Sequence, residues 1–408
     1  MTKALAGLRV IDTTHVLAGP FASYQMAVLG AEVIKIEDPS DPDQARLQGS
    51  DRALSNAGMG TAFMSQASNK KAVALNLKVE GGREALKRLI ETADVFVENY
   101  RPGAFEKLGL GYEDMRALNP RLIYCSISAF GSTGPRREQT GYDSVLQAFS
   151  GMMAMTGDQD SDPLKCGAPV VDYATGTTAA YAITAALLQR ERNGGKGQFV
   201  DVSMLDVALM LCSPSVTGYL WNGSHPKAKG NRFPFATIGL YQASDADLMI
   251  AASNLEQQRR LWIALGREDL IKINNDQRLD GHAEEQRALR QIIVTMPAEY
   301  WESFFRERRI PAARVRHLKE ALADPQIAAR RVLHKHVAPG SPVDGLVVPV
   351  AGFTMSESAP GLTFPPQEVG AQTEDLLREL GFDDAALEKL FAENGASFAH
   401  SQMKAAVE

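Results

Sequence analysis

The sequence predicts an α/β fold: a parallel sheet covered by helices on both faces, followed by a smaller α+β domain. Three features carry that expectation. Short apolar strand-like runs alternate with helical runs from residue 9 to about residue 211, the pattern left by crossover helices between parallel strands. The first of these alternations is a complete β-α-β unit within residues 9–37. After about residue 217 the alternation stops at a polar, basic, proline-containing stretch, and a different pattern begins.

The elements follow in order. Arg9-Val10-Ile11-Asp12 reads as a short buried strand, followed by the loop Thr13-Thr14-His15-Val16-Leu17-Ala18-Gly19-Pro20. Pro20 suits a helix start because its missing N–H is one the first turn leaves unpaired anyway. The helix continues through residues 21–29, and Gly30 ends it by tolerating a left-handed cap. Residues 33–36 form the next strand, closing on Glu37. Further strands are expected at 72–76, 95–98, 122–126 and 198–203, with helices at 81–93, 143–155, 176–192 and from 204 to 211. The 176–192 helix stops at Asn193-Gly194-Gly195. Residues 223–235 look like a linker, 238–252 like a hairpin, and 257–265, 283–296 and 300–308 like charged helices. Prolines 349, 360, 365 and 366 mark a loop-like return, closed by helices at 373–380 and 384–394. The expected domains are a large α/β domain over 1–217, a linker over 218–236 and a small domain over 237–330. Residues 331–408 return to the large domain.

Composition narrows the function classes. A chain of 408 residues with 45% hydrophobic and 23% charged residues is an ordinary globular protein of about two domains. A net charge of -6 argues against a nucleic-acid groove, which favours a basic surface. Cys125, Cys166 and Cys212 are too few and too scattered for a disulfide framework or a zinc site, which fits a reducing, cytoplasmic setting. No metal is expected: the histidines lack a His-Glu-x-x-His or similar spacing. No serine-hydrolase elbow occurs. The small-residue run 174–188 is too short to span a bilayer, which takes about 20 residues, so it reads as a buried helix and no membrane partner is expected.

Three residues invite chemistry. Glu37 ends the first β-α-β unit where a ribose-binding acid would stand. However, the preceding loop lacks the G-x-G-x-x-G spacing, and Gly109-Leu110-Gly111-Tyr112 is misplaced for it. His15 follows a parallel strand, at the end of the sheet where such folds place ligands; its plainer role is that of a hydrogen-bonded loop residue. Asp172, in Gly167-Ala168-Pro169-Val170-Val171-Asp172-Tyr173, precedes a helical run. Its plainer role is an N-cap, and its functional one is a nucleophilic carboxylate that carries an acyl group.

Several strings in a fixed order, nearly end to end, point further. They include the Thr14–Pro20 loop, Leu29-Gly30-Ala31-Glu32-Val33-Ile34-Lys35-Ile36-Glu37, Asn69-Lys70-Lys71 and Glu98-Asn99-Tyr100-Arg101-Pro102-Gly103. Gly141-Tyr142-Asp143, Asp172 four residues before Gly176, Ile310-Pro311-Ala312 and Asp324-Pro325-Gln326 complete the set. The chain resembles the family III CoA-transferases, which include formyl-CoA transferase and carnitine CoA-transferases and share a fold with α-methylacyl-CoA racemase. The resemblance implies a Rossmann-like large domain, an interlocked homodimer, and transfer of coenzyme A from an acyl-CoA to a carboxylic acid through anhydride and thioester intermediates on Asp172. It implies no tightly bound cofactor, since coenzyme A arrives as the substrate thioester.

Carried over residue by residue, the resemblance places coenzyme A contacts at His15, Val16, Ala18, Leu75, Lys78, Asn99, Tyr100, Arg101, Lys107 and Met204. Leu17, Arg46, Tyr142 and Asp143 become candidates for the substrate site. Leu17 stands where formyl-CoA transferase has glutamine, Asp38 replaces a basic residue, and a tetraglycine loop is missing near 230–239. These departures argue against formyl-CoA and oxalate and leave short dicarboxylates such as succinate, mesaconate or malate, with transfer within one dicarboxylyl-CoA as a variant. Arg46, Arg136, Arg137 and Arg232 are the cations available for a second carboxylate. The rival within the fold is an α-methylacyl-CoA racemase, which carries histidine where this chain has Tyr142. A phenol with a pKa near about 10 is a poor substitute for imidazole in a neutral-pH proton transfer.

Overall fold

In a computed structural model of the protein the described residues are 2–399; Met1 and residues 400–408, the latter part of the expected return segment, lie outside them. The chain divides into a larger unit, built from residues up to Met152, Lys165–Gly223 and from Arg330 onward, and a smaller unit of Met153–Leu164 and Ser224–Ala329.

The larger unit is organised by a seven-stranded sheet. Its strands in chain order are β1 (Arg9–Asp12), β2 (Glu32–Glu37), β3 (Lys70–Leu75), β4 (Val95–Glu98), β5 (Ile123–Ser128) and β6 (Gln198–Ser203), with a two-residue edge at Ala396–Ser397. The spatial order is edge-β3-β2-β1-β4-β5-β6, all parallel except the edge, which pairs antiparallel with β3. Because side chains alternate across a strand, Val10, Val33 and Val95 face one side and Ile11, Ile34 and Phe96 the other. The first set packs on Ala22 and Met26 of the helix Ala18–Val28 and on Ala179 and Ile183 of the helix Val170–Arg192. The second packs on Leu86 and Leu89 of the helix Glu80–Glu91 and on Leu376 and Leu390 near the C-terminus. A doubly covered parallel sheet is what the alternation predicted.

From β1 the sheet grows outward in both directions, β2 on one side and β4 on the other. Beyond β1 the chain packs on one face of the sheet and beyond β4 on the other, which leaves a crevice at the carboxyl ends of the strands.

The smaller unit has its own antiparallel sheet, Ile238–Gln242, Asp247–Ala251 and Ala312–Arg314, with a core around Trp262, Leu289 and Phe305. The expected hairpin is present, and the third strand is one the sequence did not suggest. Other elements also differ from expectation, two of them near the boundaries drawn from the sequence. The run 143–155 is two helices, Asp143–Phe149 and Met152–Met155, broken where Gly151 takes a φ of 85°. The helix Ser213–Asn222 runs through the first residues of the expected 218–236 linker and ends at Gly223, whose φ is 72°.

Candidate active site

The loop after β1 is built to hold an awkward shape. Val16 has a φ of 69°, a left-handed conformation that a β-branched residue resists. Fixed partners hold it there. Asp43 Oδ1 accepts from Val16 N at 2.9 Å, and Gln66 Nε2 donates to Val16 O at 2.6 Å. Its neighbour His15 exchanges two 2.9 Å hydrogen bonds with the Asn99 side chain after β4, one in each direction. The two loops at the crevice are thereby tied to each other. His15 Nε2 also lies 2.5 Å from the Tyr100 hydroxyl, and burial depresses the imidazole pKa.

Beneath this loop lies a belt of six buried charges in three pairs. Lys70 Nζ reaches Asp12 Oδ2 at 3.0 Å, Lys35 Nζ reaches Asp43 Oδ2 at 3.0 Å, and Arg46 grips both oxygens of Glu37 at 2.7 and 2.6 Å. Burial alone would raise the three acids, but their cations hold each below the usual carboxylate range. Arg46 is also spent on the carbonyls of Gly58 and Gln367 and on the Phe63 ring, 3.8 Å from its guanidinium carbon. The expectation that Arg46 receives a substrate carboxylate is therefore corrected: it is 2% exposed and its donors are engaged.

Asp172 stands on the other wall. The helix begins at Val170 rather than near Gly176, so Asp172 lies in its first turn instead of capping it. The cap comes from elsewhere. Asp143 Oδ2 accepts from the N–H of Val171 at 2.8 Å and of Asp172 at 3.2 Å. Gln147 Nε2 holds the other Asp143 oxygen, and Gln147 Oε1 accepts from Cys166 N. With the helix end already satisfied, the Asp172 carboxyl has no hydrogen-bond or ionic partner among the described residues. Burial, reinforced by the Asp143 charge, pushes its pKa up to about 7. Gly176 fixes its position: a Cβ there would come 2.6 Å from the Ala18 carbonyl oxygen, so only glycine lets this helix lie so close to the one starting at Ala18.

Asp172 opens on a cavity of about 560 Å³ whose wall also contains His15, Val16, Leu17, Ala18, Asn99, Tyr100, Arg101, Tyr142 and Met204. Ten of the sequence-derived candidates thus meet in one place. Leu75 and Lys78 line a smaller cavity of about 210 Å³ that shares His15 and Tyr100 with the first. Asp143 stands behind Asp172 as its cap and is not in the wall; this corrects its expected place in the substrate site. Lys107 is exposed and lines neither cavity. Arg101 is the one lysine or arginine in the larger wall. Arg136, Arg137 and Arg232 are absent from it; Arg136 donates to Gln139 Oε1 at 2.8 Å, and Gln139 does line it. Sequence reasoning also missed Ser128, at the end of β5, and Gln139-Thr140. Only the nearness of the latter to Tyr142 in the chain hinted at them.

The fold and the crevice define an α/β protein with a cavity at the switch point of a doubly wound sheet, where such folds place ligands. The sequence profile of CoA-transferase family III matches residues 5–373, and the chain belongs to that family; it is a CoA-transferase. It is 35% identical over 400 residues to a mouse protein named succinyl-CoA:glutarate CoA-transferase, covering 95% of this chain and 89% of that one. It is 34% identical over 388 residues to the succinate–glutarate CoA-transferase of Agrobacterium fabrum, covering 92% and 95%. Among solved structures, a CaiB/BaiF family protein from Brucella suis superposes with a TM-score of 0.80 at 30% identity, covering 93% of this chain and all of that one.

Proposed function

We propose that the protein moves coenzyme A from one short dicarboxylic acid to another, with Asp172 as the covalent carrier. The observation that carries this reading is the unpartnered Asp172 carboxyl in the wall of the cavity, left free because Asp143 caps its helix. The substrate class rests on relatives named for succinate with glutarate, mesaconate or citramalate.

The steps are those the family resemblance implies. Asp172 attacks the thioester carbonyl, giving a mixed anhydride and a CoA thiolate. The thiolate attacks the aspartyl carbonyl, releasing the donor acid and leaving an aspartyl-CoA thioester. The acceptor carboxylate then enters and the steps run in reverse. Covalent relay divides a difficult exchange into easier displacements. A carboxylate is a poor nucleophile when fully hydrated, and the burial that raises Asp172 to about 7 makes its anion more basic. The backbone N–H groups at the Ala18 helix start are candidate donors to the thioester oxyanion, since the Leu17 position supplies no side-chain cap. Coenzyme A would run past His15, Asn99, Tyr100 and Arg101, with its distal part in the smaller cavity beside Leu75 and Lys78; Arg101 and Lys78 would meet its phosphates. A second copy of the chain would cover the exposed apolar side chains of Met210, Leu220 and Trp221.

The test is an exchange assay with succinyl-CoA against glutarate, mesaconate, citramalate and oxalate, the last because a relative from Acetobacter aceti is named for it. CoA transfer to at least one of the first three supports the reading. Transfer to oxalate alone would narrow the acceptor to that acid and overturn the argument against it from Leu17 and Asp38. Deuterium uptake at the α-carbon of a methyl-branched acyl-CoA, without transfer, would make the protein a racemase.

A further inference from the structure

Four threonines lie on the helix that carries Asp172. Thr177, Thr178 and Thr184 each donate their hydroxyl to the carbonyl four residues back, all at 2.8 Å. Thr175 does not. Its Oγ1 is buried, has no partner among the described residues, and belongs to a residue with no exposed surface. A buried hydroxyl left unpaired is destabilising, and the usual remedy, used three times on the same helix, is not used here.

Thr175 follows Asp172 by three residues. Side chains at that spacing share a helix face, their Cβ atoms about 5–6 Å apart, and both lean toward the helix N-terminus. A threonine hydroxyl and an aspartate oxygen at that spacing can meet. We propose, resting on the covalent role of Asp172, that Thr175 donates a hydrogen bond to the Asp172 oxygen each time that oxygen becomes an oxyanion.

The step is the attack of CoA thiolate on the aspartyl anhydride. The C–S bond forms while the carbonyl π pair moves onto the Asp172 oxygen, making a tetrahedral intermediate with one negative charge. The pair then returns, the C–O bond to the donor acid breaks, and the acid leaves as its carboxylate. Charge enters as thiolate and departs as carboxylate, with no proton or redox partner required. The same oxyanion recurs when the acceptor attacks the aspartyl thioester. The Ala18 helix start serves the other oxyanion, on the substrate carbonyl, so the aspartyl one needs its own donor. Ser128 lines the cavity and its Oγ is also unpaired among the described residues, but it sits on β5 and not on the helix that carries Asp172.

The experiment compares wild type, Thr175→Val and Thr175→Ser with succinyl-CoA and glutarate, reading kcat, KM, thermal midpoint and the rate at which the CoA adduct forms on Asp172 in a single turnover. Valine keeps the shape and removes the donor; serine does the reverse. Valine should lower kcat and adduct formation by roughly 10²-fold, as loss of one oxyanion donor does. KM should change by less than about threefold, and the thermal midpoint should be equal or higher because the orphan is gone. Serine should recover activity to within about fivefold of wild type. Wild-type kcat in the valine variant, with the adduct still found on Asp172, removes the role of Thr175 and leaves that of Asp172. A serine variant slower than the valine one assigns the position to methyl packing and also overturns the proposal. No adduct on Asp172 in wild type overturns both.

Discussion

The two sides of the cavity handle buried acids in opposite ways. On the β1–β3 side, Asp12, Glu37 and Asp43 are each matched by a cation, Lys70, Arg46 and Lys35, and each is held as a low-pKa anion. On the other side Asp172 has no cation among the described residues, a like-charged neighbour in Asp143, and a pKa near 7. The paired acids shape the loop; the unpaired one is available to react. Glu285 in the smaller unit sharpens the lesson. Burial lifts it to about 7 too, but it lies 1% exposed against Trp262 and lines no cavity among those described, so its perturbation has no outlet. A displaced pKa marks a reactive group only where substrate can reach it.

The largest expected effect comes from removing the unpaired acid. Asp172→Asn should lower transfer by at least roughly 10³-fold, since it removes the nucleophile. The same change should stabilise the fold, with a pH signature. The folded-state pKa is raised, so the penalty for the charged carboxyl is absent below about pH 4 and complete above about pH 7. The variant should therefore gain on the order of 2 kcal/mol at pH 8, allowing for partial exposure, and nothing at pH 4. Urea melts at the two pH values check it.

Next comes a break in the paired belt. Arg46→Ala leaves Glu37 buried without its cation and should cost about 3–5 kcal/mol. Measured on protein that is still folded, KM for the acceptor should stay unchanged, because Arg46 does not face the cavity. A raised KM with unaltered stability would return Arg46 to the substrate site.

Smaller effects separate the roles of the two neighbouring acids. Wild-type kcat/KM should fall below about pH 7 as Asp172 protonates. Asp143→Asn keeps an oxygen for the helix N–H groups but removes the like charge, so the acid limb should move to lower pH by roughly half a unit to one unit. A pH–rate profile of the variant checks the direction. A limb shifted upward would show that Asp143 does not raise Asp172.

How much of this was legible in the sequence follows the range of the interactions. The strands and their alternation were readable because hydrophobic periodicity is local, and Asp172 was readable as an acid beside a helix. Its freedom was not, because the cap arrives from Asp143, across a loop whose course the sequence does not give. The fate of Arg46 was hidden for the same reason: a free arginine and one locked to Glu37 look alike as letters. Val16 carried no signal at all, since valine is an improbable choice for a left-handed φ and only Asp43 and Gln66 make it tenable. Gly176 could have been read, as a glycine one turn after the acid inside a helical run, where its cost demands close packing.

The central claim is that Asp172 carries coenzyme A. Intact-protein and peptide mass spectrometry after incubation with succinyl-CoA, followed by hydroxylamine or borohydride trapping, tests it most directly. The expected result is a modification on the peptide containing Asp172, absent in Asp172→Asn. Transfer activity with no modification at Asp172, or one at another residue, would contradict it.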